Sequence, residues 1–277
     1  MSFQSYKKKH MMQSSFFLFA FVWMIWSAKP PVTSAETKED FSAHYQKYGV
    51  SGSFLLYDLK NNQFAVYNKT QCETGYLPAS TFKIPNTLIA LENGIVQDEN
   101  TIFKWDGVRR SIENWNQDTT LRMAFQNSTV WYYQKIAREV GYAKMNHWLQ
   151  KLNYGNRSMD GKLDRFWLDG NIRVSQYQQI DFMKRLHQNR LPVSTKSAAV
   201  LKSIMIRKDT AAFTYRAKTG WSDRNGKSLG WFVGYITKGE NAYFFANRVD
   251  GTPENPLFGT SRIEIAESIL REKGILP

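Results

Sequence analysis

The chemistry of this chain begins with a hydroxyl and an amine three residues apart, in Ser80-Thr81-Phe82-Lys83. The segment follows Leu77-Pro78-Ala79 and opens a stretch of helix period, which sets both side chains on one helix face within reach of each other. A neutral lysine amine beside a serine can take the hydroxyl proton, and a helix N-terminus stabilises negative charge developing there. That describes a serine nucleophile for acyl transfer. The spacing by itself is a weak signal. Ser5-Tyr6-Lys7-Lys8 repeats it by accident, and Ser80 alone reads equally as a helix N-cap with Lys83 on a solvated face. Two later stretches strengthen it. Lys218-Thr219-Gly220 closes a predicted strand before Trp221, where the chain is expected to turn, and offers an acidic substrate a positive charge, a hydroxyl and an approachable backbone. Between them, Ser128-Thr129-Val130 lies on or near a predicted helix, where a second hydroxyl can pass a proton to a leaving group.

Other chemistries find no support. The four histidines, at positions 10, 44, 147 and 187, show neither His-x-His nor His-Glu-x-x-His spacing, so no catalytic zinc is expected. Cys72 is the only cysteine, which excludes an intramolecular disulfide and leaves it as a small buried residue. The formal net charge is +13, with Lys7, Lys8, Lys9 and Lys29 contributing from the first 35 residues. Such an excess favours anionic small molecules or acidic cell-wall and membrane surfaces. The basic residues are scattered, and nucleic acid is not expected as a partner.

The elements that must position these groups follow from pattern. Lys7-Lys8-Lys9, the apolar run Phe16 to Trp26 and the small residues near Ala28 and Ala35 have the order of a secretory signal peptide, residues 1–35, with cleavage near 28 or 35. The run is far shorter than the roughly 20 residues of a membrane span. Export to the periplasm, or secretion, is therefore expected, with no stable membrane span after cleavage. Residues 36–277 suit one domain, or two closely packed lobes, as monomer or homodimer. Ser53 to Leu59 and Gln63 to Tyr67 flank an Asn-rich turn as a hairpin. From Ser80 the period is helical, with Asn93-Gly94 as stop. Further helices are predicted over about Thr120 to Val140, Ala143 to Leu152, Ser175 to Gln188 and Ser194 to Ile206. Strands return at Ala211 to Ala217, Leu229 to Thr237 and Ala242 to Val249, before a final helix over Ser261 to Lys273. The fold class is α+β, sandwich-like: an antiparallel sheet from both chain ends, a mostly helical inserted lobe and a C-terminal helix.

The three motifs in this order resemble the serine penicillin-recognising superfamily of β-lactamases and transpeptidases, whose class A members carry Ser-x-x-Lys, Ser-Asp-Asn and Lys-Thr-Gly. Here the middle motif is Ser-Thr-Val, and no Glu-x-x-Leu-Asn occurs; Asp164, the nearest acid, reads as a loop residue. Ser128-Thr129-Val130 with Tyr154-Gly155-Asn156 and Phe166-Trp167-Leu168 is similar to class D, the oxacillinase type, across essentially the whole mature chain. The resemblance implies a serine hydrolase that opens β-lactams through an acyl-enzyme on Ser80, conferring antibiotic resistance. It implies that Lys83 becomes N6-carboxylated by CO2 or bicarbonate and serves as general base, held by the indole N–H of Trp167, with no other cofactor and no metal. It further implies an oxyanion hole from the backbone N–H groups of Ser80 and Trp221, proton handling by Ser128 and Lys218, and a substrate carboxylate held by Thr219 and Arg262. Gly220 belongs to the same substrate-binding strand, Val130 and Leu168 shape an apolar wall, and Tyr154-Gly155-Asn156 is a turn that positions it. Two other activities share the motifs: a sensor that stays acylated, and a D-Ala-D-Ala transpeptidase or carboxypeptidase.

Overall fold

The structure is a computed structural model of the 277-residue chain and describes residues 34–277 together with the first two. The expected leader thus lies, but for its ends, outside the described residues, as does the cleavage position at Ala28. Ser34–Pro277 forms one compact unit.

The chain runs through β1 (Ala35–Lys38), α1 (Ser42–Gln46), β2 (Ser51–Asp58), β3 (Gln63–Tyr67), α2 (Lys69–Glu73), a 3-10 turn over Ala79–Phe82, and α3 (Lys83–Glu92). The inserted lobe follows with β4 (Ile102–Phe103), β5 (Thr119–Thr120), α4 (Leu121–Gln126), α5 (Val130–Val140), α6 (Tyr142–Leu152), α7 (Phe166–Asp169), α8 (Gln176–His187) and α9 (Thr195–Ile204). It closes with β6 (Ile206–Asp209), β7 (Thr214–Arg224), β8 (Lys227–Lys238), β9 (Asn241–Gly251) and α10 (Phe258–Glu272). The large sheet has the order β1-β3-β2-β9-β8-β7-β6, so both chain ends build it, as expected.

Alternation along the strands divides the core in two, because successive side chains leave a strand on opposite faces. Phe54, Leu56, Phe232 and Ile236 pack with Phe41, Tyr45, Ile265 and Ile269 under α1 and α10. Leu55, Tyr57, Trp231, Val233 and Tyr235 face the helical lobe instead. A strand covered on both faces reads as a continuous apolar run, and β8 does so.

Four expectations need correction. β1 pairs with β3 in parallel, Ala35 opposite Gln63, so the expected antiparallel sheet carries one parallel edge strand. Residues 206–209 are the edge strand β6 rather than the end of a helix. The strand carrying Lys218-Thr219-Gly220 does not end there: β7 continues through Trp221 to Arg224 and turns at Asn225-Gly226, both at positive φ as a two-residue hairpin loop demands. The helix expected over 120–140 is broken at Asn127-Ser128-Thr129. There Thr129 N–H bonds back to Ala124 O at 2.9 Å and Ser128 N–H to Phe125 O at 3.3 Å, the paired bonds of a Schellman stop. Ser128 takes the left-handed position, φ 56°, that glycine usually fills.

Candidate active site

Ser80 lies in the 3-10 turn and Lys83 is the first residue of α3. Residues three apart eclipse in a 3-10 helix, which aligns the two side chains: Lys83 Nζ donates to Ser80 Oγ at 2.7 Å. The solvated lysine that the plain alternative required is absent, since Lys83 is 1% exposed. Ala79, just before the nucleophile candidate, sits at φ 47°, where a side chain adds about 1 kcal/mol of strain. Burial pushes the Lys83 amine down to about 7, because a low-dielectric pocket disfavours the charged form. Nζ lies 5.3 Å from the centroid of the Tyr133 ring. Trp167 is fully buried, stacks on Phe82 at 5.3 Å, and its Nε1–H has no acceptor among the described residues. A buried indole donor without a partner is a destabilising feature unless a ligand or modification supplies the acceptor.

The second hydroxyl–amine pair comes from distant parts of the chain. Lys218 of β7 donates to Ser128 Oγ at 2.5 Å and is 3% exposed. The helix break is what points Ser128 toward the strand; an unbroken helix would have carried the chain past it. Lys218 is pushed well below its ordinary value, first by desolvation and then by the like charges of Lys83, Arg262 and Arg207. Gly220 permits the close approach of β7 to the nucleophile turn: a Cβ there would stand 3.0 Å from Pro78 O and 3.2 Å from the Thr81 methyl.

Arg262 reaches the same place from α10. Its guanidinium donates to Gly220 O at 2.8 Å and lies 4.9 Å from the centroid of the Trp221 ring. Gly230 makes room for its stem, since a Cβ there would fall 2.5 Å from Arg262 Cδ. Desolvation lowers Arg262 to about 10, which leaves it charged at neutral pH, and among the described residues it forms no ion pair with a carboxylate. An unpaired guanidinium in a half-buried position favours an anionic ligand.

A cavity of about 340 Å³ gathers Ser80, Ser128, Val130, Leu168, Thr219, Gly220, Trp221 and Arg262. Lys83, Trp167 and Lys218 stand buried behind it. The cavity also takes Ile112, Trp115 and Asn127, which sequence reasoning missed. They come from the irregular segment between β4 and β5 and from the helix break, where no periodicity marks a residue as facing anything. The indole N–H of Trp115 donates to Asn127 O and that of Trp131 to Trp115 O, which ties the segment to the Ser128 turn.

Residues 41–272 match the family described as the penicillin binding protein transpeptidase domain. Beta-lactamase OXA-48 of Klebsiella pneumoniae is 39% identical over 249 residues, 89% of this chain and 93% of that protein. The crystal structure of the class D β-lactamase YbXI from Nostoc is 40% identical, with a TM-score of 0.82 over 86% of this chain and 99% of that one. The chain belongs to the class D β-lactamase family. Regulatory protein BlaR1 of Bacillus licheniformis is also similar, 34% identical over 89% of this chain but only 41% of that protein.

In this class D chain Asp164 pairs with Arg138 at 2.5 Å, the loop acid it was expected to be. Tyr154 proves to be more than a turn residue: it is buried edge-on against Phe82 and Phe182, and so braces the aromatic stack under Lys83. Gly155 supplies the turn itself, at φ 56° and hard against Arg173 O. Cys72 is buried, its thiol directed at the carbonyls of Tyr67 and Phe54.

Proposed function

We propose that the protein hydrolyses penicillin-type β-lactams through an acyl-enzyme on Ser80, acting after export and conferring resistance. One observation carries the reading: a fully buried lysine amine lowered to about 7 lies 2.7 Å from a serine hydroxyl at the floor of a cavity with an unpaired arginine on its rim. Ser80 Oγ gives its proton to the base at Lys83 and attacks the lactam carbonyl carbon; the C–N bond breaks, and the ring nitrogen takes a proton through Ser128, which Lys218 holds. Water then cleaves the ester and releases the opened product. The backbone N–H groups of Ser80 and Trp221 stabilise the oxyanion, the largest contribution expected in acyl transfer. Arg262 and Thr219 bind the substrate carboxylate, and Val130 and Leu168 keep the space beside Ser80 apolar.

The residues around Lys83 fit a CO2 adduct: burial lowers the amine to about 7, so about half of it is neutral at pH 7, as reaction with CO2 requires, and the buried Trp167 N–H lacks an acceptor among the described residues. As a carbamate on Lys83, CO2 would supply an anionic general base beside Ser80, held by Trp167. Likeness to the BlaR1 regulator supports a second reading, a receptor that is acylated and does not release product.

Nitrocefin turnover by the protein, with and without added bicarbonate, tests both. Turnover that rises with bicarbonate and vanishes in Lys83→Ala is expected. Stoichiometric acylation without turnover would favour the receptor, and an equally active Lys83→Ala protein would remove the base.

A further inference from the structure

A second and larger cavity, about 650 Å³, opens at the far end of β7. Lys218, Gly220, Ser222 and Arg224 alternate along the strand and therefore share one face. The cavity takes in Ser222 and Arg224 from that face, and also Leu77, three residues before Ser80. At about 3.4 Å per residue, Ser222 lies roughly 7 Å and Arg224 roughly 14 Å beyond Gly220 along the strand. The first of these distances is within the reach of an acylamino substituent on a substrate held at Ser80.

The lining is charged in one sense. Arg173, Arg224, Lys227 and Arg248 stand against a single carboxylate, Asp250. Arg248 takes that carboxylate for itself, bonding Asp250 and Gln71 while its guanidinium carbon lies 3.7 Å from the centroid of the Tyr76 ring. Arg248 is 2% exposed, and its Nε–H is nevertheless left without an acceptor. Arg173 bonds only backbone carbonyls, of Gly170 and Ile172, and is depressed by burial and by the charge of Arg224. Arg224 and Lys227 form no ion pair among the described residues. Three cations that form no ion pair among the described residues share one concave surface beside a buried N–H, an arrangement that favours an anion.

We infer that this cavity is a second anion subsite, formed by Arg173, Arg224 and Lys227, which binds a carboxylate on the acyl side chain of a dianionic β-lactam. The inference rests on the reading of Ser80 as the acylated nucleophile. Arg262 holds one charge of such a substrate beside Gly220, and the second lies further along the same strand. Substrates with a neutral side chain bind without it.

The test compares benzylpenicillin with its analogue bearing a carboxylate on the side-chain α-carbon, in the wild type and in a Arg224→Gln/Lys227→Gln variant. Both substituted residues are exposed and make no side-chain hydrogen bond in the fold. The readout is the second-order rate of acylation, followed as β-lactam ring opening by excess protein, which does not depend on whether product is later released. Acylation by the dianionic penicillin should fall about tenfold in the variant, as loss of one good charge pair predicts, and that by benzylpenicillin should stay within about twofold. Equal changes for both penicillins, with acylation intact, would overturn the subsite and leave the proposed function standing. A lack of acylation by either would overturn both. A parallel arm measures the thermal shift given by inorganic phosphate: a shift lost in the variant while the two penicillins respond alike would make the occupant a free anion and overturn the assignment to substrate.

Discussion

Two buried lysines each donate to a serine in this protein, and they are depressed for different reasons. Lys83 is buried with its Nζ over the Tyr133 ring, and desolvation alone lowers it. Lys218 is desolvated as well, but it also feels Lys83, Arg262 and Arg207. The first pair is local, closed by a single 3-10 turn; the second joins residues 90 positions apart. The difference fits the two lysines to the different work proposed for them. Burial alone leaves Lys83 with a large neutral fraction near pH 7, as a base or CO2 acceptor requires. Lys218 is held down further by neighbouring cations, and an anionic substrate that offsets them raises it, as a proton donor requires.

The sharpest way to break this comparison is to remove each hydroxyl. Ser80→Ala should lower nitrocefin turnover by about 10^4-fold or more, since no covalent intermediate can form. Ser128→Ala should lose about 10^2-fold, the scale of one proton-transfer group. Equal losses would mean that the two pairs act as a single unit.

The next effect is on stability, measured by urea unfolding in CO2-depleted buffer. The folded Lys83 titrates near 7 and the unfolded one near 10.5, so between those values only the unfolded chain holds the proton. Stability from this group is lowest below pH 7 and rises as pH climbs from 7 to 10.5, by on the order of 5 kcal/mol in all. Lys83→Met should therefore be more stable than wild type by about 3 kcal/mol at pH 6, with a gap that narrows toward pH 10. A variant no more stable at pH 6 would contradict the burial account.

The smallest effect separates the two causes. Arg207 is exposed and contributes only charge to Lys218. Arg207→Gln should move the limb of kcat/KM set by Lys218 up by about 0.3 pH unit at low salt and leave the limb near 7, set by Lys83, in place. Movement of both limbs would show that the lysines share one electrostatic environment.

The nucleophile pair was legible because its spacing is local: Ser80 and Lys83 meet through one turn of helix, whatever the rest of the chain does. The hairpin at Asn61-Asn62 and the helix stop at Asn93-Gly94 were legible for the same reason, each being a conformational preference of adjacent residues. Ser128 was visible as a motif but not as a conformation. Its left-handed backbone goes against the preference of a serine and is held by the Schellman bonds and by Lys218 from another element. Ile112, Trp115 and Asn127 carried no signal at all.

By itself the sequence named the groups proposed to do the chemistry, the helical lobe inserted in the sheet, and the order of elements that brings both chain ends into one sheet. Only the tertiary structure decided that β7 runs on past Gly220 to Arg224, that Arg262 reaches over Gly230 to its rim, and that a basic cavity lies further along the same strand. The physical reason is range. Spacing along a chain encodes contacts within a few residues, whereas burial and like-charge repulsion at Lys218 depend on segments that meet only when the sheet has closed.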